Sequence, residues 1–175
     1  MAYILNVQNL CDDDFKYLPN RQTISSYFTH FAVDEDITVL NLRDNGFVQS
    51  ETITVISRII KRKFPNLKLV DLRGNSFGDD SMEPLKRLIR ECDVFVDVNE
   101  NNMLLTSPNL KTVLQSFTEQ ELEKLIWIPM NELYSMDWSK FHFGDDTKIA
   151  KIVETHRIHY DLPQTGTFFV QSNRE

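Results

Sequence analysis

The sequence predicts an α/β fold built from stacked repeats, a short solenoid with parallel β-strands on its concave face, helices on its convex face and a mainly helical C-terminal cap. Three similar segments recur within residues 37–103, and their asparagines, Asn45, Asn75 and Asn101, are 30 and 26 residues apart. A fixed period in this range is typical of repeat architectures. The chain accordingly divides into an irregular N-terminal capping repeat (1–36), the repeats (37–103) and a C-terminal cap or docking segment (104–175).

The N-terminal segment carries a weaker version of the same pattern. Residues 3–7 alternate as a short strand does, and the acidic run at 12–14 is suited to open a helical turn, where carboxylates meet the positive end of the helix dipole. Apolar residues at helical spacing predict a further helix over 21–32. Terminal repeats are usually atypical because one of their faces meets water, so we interpret 1–36 as the cap of the first clear repeat.

The three segments share one pattern, Leu-x-x-Leu-x-Leu-x-x-Asn. In the first segment Ile37, Leu40 and Leu42 occupy its apolar positions. The third segment departs from the pattern, with Asp93 at position one and valines at the two later apolar positions. This pattern resembles the leucine-rich repeat family, and a period of 26 to 30 with a helix in every unit resembles its ribonuclease-inhibitor-like class. The resemblance covers roughly residues 37–103.

Each position of the pattern also has a physical reason. The paired leucines and valines alternate with polar residues, as on a strand with one buried face. Each asparagine stands where the strand turns away, and its amide can bond to backbone groups that the turn leaves unmatched. Large apolar residues two positions later, Phe47, Phe77 and Met103, are predicted to fill the space below the turns.

Amphipathic stretches between and after the segments predict helices. The first two cover 51–64 and 79–91; the second opens with the acidic, capping sequence Asp79-Asp80-Ser81. After Met103 the period is lost, and we expect helices from Pro108 to Phe117, from the capping box at Thr118 to about Trp127, and after Asp145, followed by a strand at 167–170. The aromatic residues of this segment favour either a cap over the last repeat or a separate docking surface.

Composition and charge narrow the class of protein. Two cysteines and the absence of Asn-x-Ser/Thr sequons favour an intracellular, cytoplasmic location. No apolar run reaches bilayer length, and the N-terminus lacks the basic start of a secretory signal. The net charge of −7 is divided into −4 over residues 1–36, +3 over 37–92 and −6 over 93–175. Acidic ends around a mildly basic middle argue against binding to nucleic acid.

The sequence shows few motifs that are typical of catalytic, nucleotide-binding or metal sites. The chain has no glycine-rich phosphate loop, no Gly-x-Ser-x-Gly and no His-Glu-x-x-His sequence. His156 and His159 would share a helix face, but no third metal ligand follows nearby. Cys11 and Cys92 are interpreted as structural thiols. We therefore expect neither catalysis nor a cofactor or metal ion.

The concave face offers a better candidate site. If Leu40 and Leu42 point inward, the residues between them point outward, and stacking the strands aligns these outward residues in rows. The predicted partner-binding residues form an apolar row (Val39, Leu69, Phe95), a mostly acidic row (Asn41, Asp71, Asp97) and a basic to polar row (Arg43, Arg73, Asn99). An apolar row flanked by charges is typical of a recognition surface. The alternatives are that the charges pair with one another across the strands or that the C-terminal segment covers the row.

The sequence thus predicts a non-enzymatic module that binds a partner protein through its concave sheet. Two other interpretations stay open at this point. The chain would instead be a structural subunit of a larger complex, anchored by its aromatic C-terminal segment, or a substrate adaptor of a ubiquitin ligase.

Overall fold

The computed structural model of the chain describes residues 3–14, 19–103 and 116–127. The helix predicted after Asp145, the strand at 167–170 and the His156/His159 pair lie outside these ranges, as does nearly all of the helix predicted from Pro108. Among the described residues, no helix has the length and apolar character required to cross a bilayer. The elements follow in chain order: β1 Ile4–Asn6, β2 Leu10–Cys11, β3 Gln22–Thr23, α1 Ile24–Thr29, β4 Val39–Asn41, α2 Glu51–Lys63, β5 Leu69–Asp71, a 3-10 turn Asp79–Ser81, α3 Met82–Cys92, β6 Phe95–Asp97, α4 Glu119–Lys124 and β7 Leu125–Ile126.

Within the described residues, one parallel sheet holds five strands in the order β1-β4-β5-β6-β7. The register sets Leu5, Leu40, Val70, Val96 and Leu125 side by side, at chain spacings of 35, 30, 26 and 29 residues. The predictions of a mixed α/β fold, of parallel strands and of a first strand near 3–7 are confirmed. The irregular third segment keeps its predicted register, since Val96 lies beside Val70 and Asp97 beside Asp71.

The core lies between the sheet and the helices, as the alternating pattern predicts. Leu40, Val70 and Val96 are completely buried, and they belong to one cluster with the apolar stripes of α2 and α3. Phe47, Phe77 and Met103 are also completely buried, and the first two rings lie 6.1 Å apart. Burying a side chain of this kind contributes about 1.5–3 kcal/mol. The expectation that these large residues fill the space below the turns is confirmed.

The segment after Thr118 differs from its prediction. The capping box is present, since Thr118 accepts from the Glu121 N–H while the Glu121 carboxylate accepts from the Thr118 N–H. The helix ends at Lys124 instead of continuing to about Trp127, and Leu125–Ile126 joins the sheet beside β6. Three consecutive apolar residues, Leu125, Ile126 and Trp127, are all buried there, and the Val98 N–H bonds to the Ile126 carbonyl at 3.0 Å. A strand that is buried on both faces can place three consecutive apolar side chains away from water, whereas an amphipathic helix would expose some of them.

The two predicted acidic helix starts were wrong in detail. Asp13 and Asp14 form a turn, and Asp12 accepts the N–H groups of Val48 and Gln49, just before α2, at 2.9 and 3.3 Å. Asp79–Ser81 forms a 3-10 turn, and the Ser81 side chain makes no capping bond to α3. The helix expected over 21–32 is the shorter α1, capped by Thr23 and preceded by the unpredicted parallel pair β2–β3.

Candidate functional site

The turns that follow the strands hold the candidate surface in place, and buried asparagine amides organise them. Asn75 Nδ2 donates to the carbonyl of Leu72 in its own turn and of Leu42 in the preceding one, at 3.0 and 3.1 Å. Asn45 and Asn101 repeat this arrangement, and each side-chain oxygen accepts a backbone N–H of the unit before it. The expectation that these amides satisfy backbone groups left by the turn is confirmed, and each amide also joins two neighbouring units.

The residue in front of each asparagine has a left-handed backbone. Asp44, Gly74 and Glu100 have φ of +59°, +68° and +61°, and Asn9 in the first turn has +63°. Glycine suits this region best, and other residues adopt it at a cost of about 1–2 kcal/mol. The shared torsion gives the four turns one geometry, so the side chains around them occupy equivalent positions.

The residues of the predicted mostly acidic row form hydrogen bonds within these turns. The Oδ1 atoms of Asn41, Asp71 and Asp97 accept the N–H two residues later, at 3.1, 3.1 and 3.0 Å. Asn and Asp commonly make such turns, because a short side chain reaches its own backbone two positions on. This role in the turn was not predicted, although an Asn or Asp at the same place in every segment was a visible signal for it.

Charges of two rows pair with each other, mainly within one strand–turn unit and at a longer distance across the strands. The Arg73 guanidinium forms a forked contact with Asp71, with Nε–Oδ1 and Nη2–Oδ2 distances of 3.0 and 2.9 Å, and its Nε lies 3.7 Å from Asp97 Oδ2. Asn99 Nδ2 also donates to Asp97 Oδ1 at 2.8 Å. At β5 and β6 the charged side chains of the predicted rows therefore pair with one another.

Asp97 is the most perturbed acid of the cluster. Its carboxyl is completely buried, and burial together with the charge of Asp71 raises its pKa from 3.8 to about 7. Arg73 and the two hydrogen bonds from Asn99 act in the opposite direction and lower that pKa. Burial and the neighbouring Asp71 thus extend the neutral form of Asp97 to higher pH than that of an ordinary aspartate.

The outward face of the sheet, which we call the sheet face, has a buried part and a more accessible part. Leu69, Asp71, Asp97 and Asn99 are buried, with 0 to 3% of their surface exposed, and Val39, Asn41, Arg43, Arg73 and Phe95 are half-buried. Ile4 extends the apolar row on β1, beside Val39, and is 54% exposed. The predicted rows thus exist, but they are accessible mainly at β1 and β4.

The accessible part, which we call the open end, consists of Ile4, Asn6, Val39, Asn41 and Arg43. Asn41 Nδ2 donates to Asn6 Oδ1 at 2.7 Å, so the amides of β1 and β4 are linked across the surface. Ile4 and Asn6 were not among the predicted contacts, because the pattern of residues 3–7 is too irregular to show its register with the later segments. Their register beside Val39 and Asn41 places them in the same rows.

Two observations bear on metal binding and on nucleophilic chemistry in the described residues. In residues 3–14, 19–103 and 116–127 no group of three His, Cys, Asp or Glu side chains is arranged to hold a metal ion. Burial raises the pKa of both Cys11 and Cys92, which disfavours the thiolate form that a nucleophile needs.

No protein-family model matches the chain. A search among curated proteins likewise gives no significant match.

Proposed function

We propose that the chain is a non-enzymatic leucine-rich-repeat protein, a short solenoid of the ribonuclease-inhibitor-like class, that binds a partner protein through its sheet face. Three features support the repeat assignment: the ladder of asparagine amides, the left-handed residue before each asparagine, and the aligned apolar positions of the strands. They recur at the spacings at which the sequence pattern recurs.

The exposed apolar row at the open end carries the functional part of the proposal. Ile4 is 54% exposed on a strand whose opposite face contributes Leu5 to the core, and Val39 beside it is half-buried. Apolar side chains on an open sheet, bordered by amides and the Arg43 guanidinium, suit a partner with an apolar anchor next to a carboxylate. Leu69, Asp71 and Asp97 are buried and would support this surface rather than contact the partner directly.

A pair of charge reversals tests the proposal. Val39→Glu combined with Arg43→Glu places a charge in the apolar row beside Ile4 and reverses the basic feature of the open end. The matched control combines Val33→Glu, at a loop position that is 61% exposed, with Arg87→Glu on the exposed side of α3. Both variants carry the same change in net charge.

The measurement is affinity purification from the native source with quantitative mass spectrometry. We expect a partner enriched by the wild-type chain to be lost with the sheet variant and kept with the control. Equal recovery by both folded variants would exclude the open end as the binding surface. Copurification at fixed stoichiometry in that case would favour a structural subunit.

A further inference from the structure

A groove between α1 and α2 forms a second concave surface, separate from the sheet face. Its volume is about 340 Å³, and it is bordered by Phe28 and Thr29 of α1 and by Val55, Ile59 and the basic end of α2. Phe28 and Ile59 are 2% and 9% exposed, so they form an apolar floor, and the half-buried Val55 adds to it. A volume of this size accommodates a large side chain with part of its backbone.

The rim of the groove is basic. Arg58 and Arg62 are exposed and lie four residues apart on α2, which places them on one side of the helix. Lys63 also borders the groove, and its ammonium is held by the Phe31 carbonyl. Asp13 is the acidic residue of the lining, and it already accepts bonds from the Ser25 backbone and hydroxyl.

The two arginines differ from neighbouring basic residues in their bonding. Lys61 pairs with Glu91, Lys86 with Glu83 and Arg90 with Glu121. Arg58 and Arg62 form no ion pair or hydrogen bond within the part of the chain that the structure describes. Two exposed guanidiniums that can donate hydrogen bonds to a carboxylate therefore lie beside the apolar floor of the groove.

We propose that this groove binds an acidic peptide segment of a partner protein, with an apolar side chain on Phe28 and Ile59 and carboxylates on Arg58 and Arg62. Guanidinium groups form bidentate bonds with carboxylates, and the apolar floor supplies the contact that a simple anion would leave unused. A nucleic acid fits less well, because its affinity comes mainly from many phosphate contacts, whereas this groove combines a few cations with an apolar floor.

The probe is a phage-displayed library of random 12-residue peptides, selected on the full chain and on a variant carrying Arg58→Glu and Arg62→Glu. We expect the wild-type chain to enrich acidic peptides with one or two large apolar residues, and the variant to lose them. A synthetic fluorescein-labelled copy of an enriched peptide should bind the variant at least tenfold more weakly, measured by fluorescence anisotropy.

Two controls separate this groove from other sites. Arg87 lies on α3 outside the groove, so Arg87→Glu should change the peptide affinity less than twofold. The Val39→Glu/Arg43→Glu variant of the sheet face should bind the peptide normally, so failure of either proposal is distinguishable from failure of the other. Circular dichroism and urea unfolding verify that each variant is folded, and the conservative Arg58→Gln/Arg62→Gln pair replaces the reversal if it is not.

Three results would overturn the proposal. These are no enrichment of peptides, enrichment of neutral or basic sequences, and unchanged binding by the folded Arg58/Arg62 variants. Tighter binding of a labelled oligothymidine than of any selected peptide would assign the groove to nucleic acid instead.

Discussion

The side-chain oxygen of Asn75 accepts the backbone N–H of Asn45 at 3.1 Å, although the two residues belong to different strand–turn units. The same oxygen accepts the Phe47 N–H at 3.1 Å, and the amide nitrogen donates to the Leu42 and Leu72 carbonyls. One buried side chain therefore satisfies four backbone groups, in its own unit and in the unit before it.

Replacing Asn75 by leucine should therefore destabilise the whole sheet. A buried leucine, Leu10, occupies the equivalent position in the first turn, so the turn geometry itself admits an apolar side chain. The loss comes from unsatisfied buried backbone groups, which cost about 1–3 kcal/mol each when they find no water. We expect the free energy of unfolding from urea titration to fall by at least about 2 kcal/mol.

Asn66→Leu is the control for this change. Asn66 is exposed, and its amide donates to the Glu35 carbonyl. Water can replace that bond, so the loss should stay below about 1 kcal/mol. Equal losses in the two variants would contradict the role assigned to the asparagine ladder.

The repeating part of the fold could be predicted from the sequence because equivalent residues have the same structural role in each unit. The period of Asn45, Asn75 and Asn101 predicted the strands, their parallel pairing and the filling of the core. The last strand was missed because Leu125, Ile126 and Trp127 form an apolar run, which periodicity alone cannot assign to a helix or a strand. The role of Asp12 was missed because its partners lie 36 to 40 residues away in the chain.

Asp12→Asn tests that long-range contact. Besides the N–H groups of Val48 and Gln49, the buried carboxylate accepts the Thr52 hydroxyl, so both of its oxygens are used. An amide keeps the shape but replaces one acceptor by a donor, which then faces other donors. We expect the midpoint of urea unfolding to decrease, corresponding to about 1–3 kcal/mol. Asp14→Asn makes the same charge change at an exposed position and should leave the midpoint nearly unchanged; a comparable decrease there would assign the effect to net charge.

Gly74→Ala should destabilise the turn for two separable reasons. Its φ is +68°, and a Cβ at this position would clash with Asp44 Oδ1. The strained backbone costs about 1–2 kcal/mol, and the contact adds to this unless Asp44 moves. A double-mutant cycle with Asp44→Gly, measured by urea unfolding, should recover the part due to the contact and leave the backbone part. Strictly additive losses would show that Asp44 moves aside freely.

The candidate site was harder to derive from sequence than the fold. Alternation identified the outward residues of each strand, but Asn41, Asp71 and Asp97 serve both the surface and their own turns. Alternation is a local property, whereas exposure depends on everything packed nearby. Leu69 and Ile4 thus occupy the same row, yet one is 2% and the other 54% exposed.

Asp97 should make the chain less stable as the pH rises through neutrality. Its pKa is about 7 in the folded chain and close to 3.8 when unfolded, so between these values the folded chain holds a proton that the unfolded chain has lost. The free energy of unfolding therefore falls from about pH 4 to pH 7, and the stabilisation by the neutral carboxyl is lost as the pH passes the folded pKa.

The Asp97→Asn variant isolates this effect. Its amide oxygen can still accept the two Asn99 donors, and it does not titrate. Lys61 lowers the pKa of Glu91; at Glu121 burial alone would raise the pKa, but Arg90 and Thr118 lower it. Both glutamates therefore change the pH dependence of stability mainly below their ordinary pKa of 4.5, which lies outside a titration from pH 5 to 8. Urea midpoints over that range should decline more steeply for the wild-type chain than for the variant, with the difference largest above pH 7. Parallel profiles would mean that Asp97 is already ionised at pH 5.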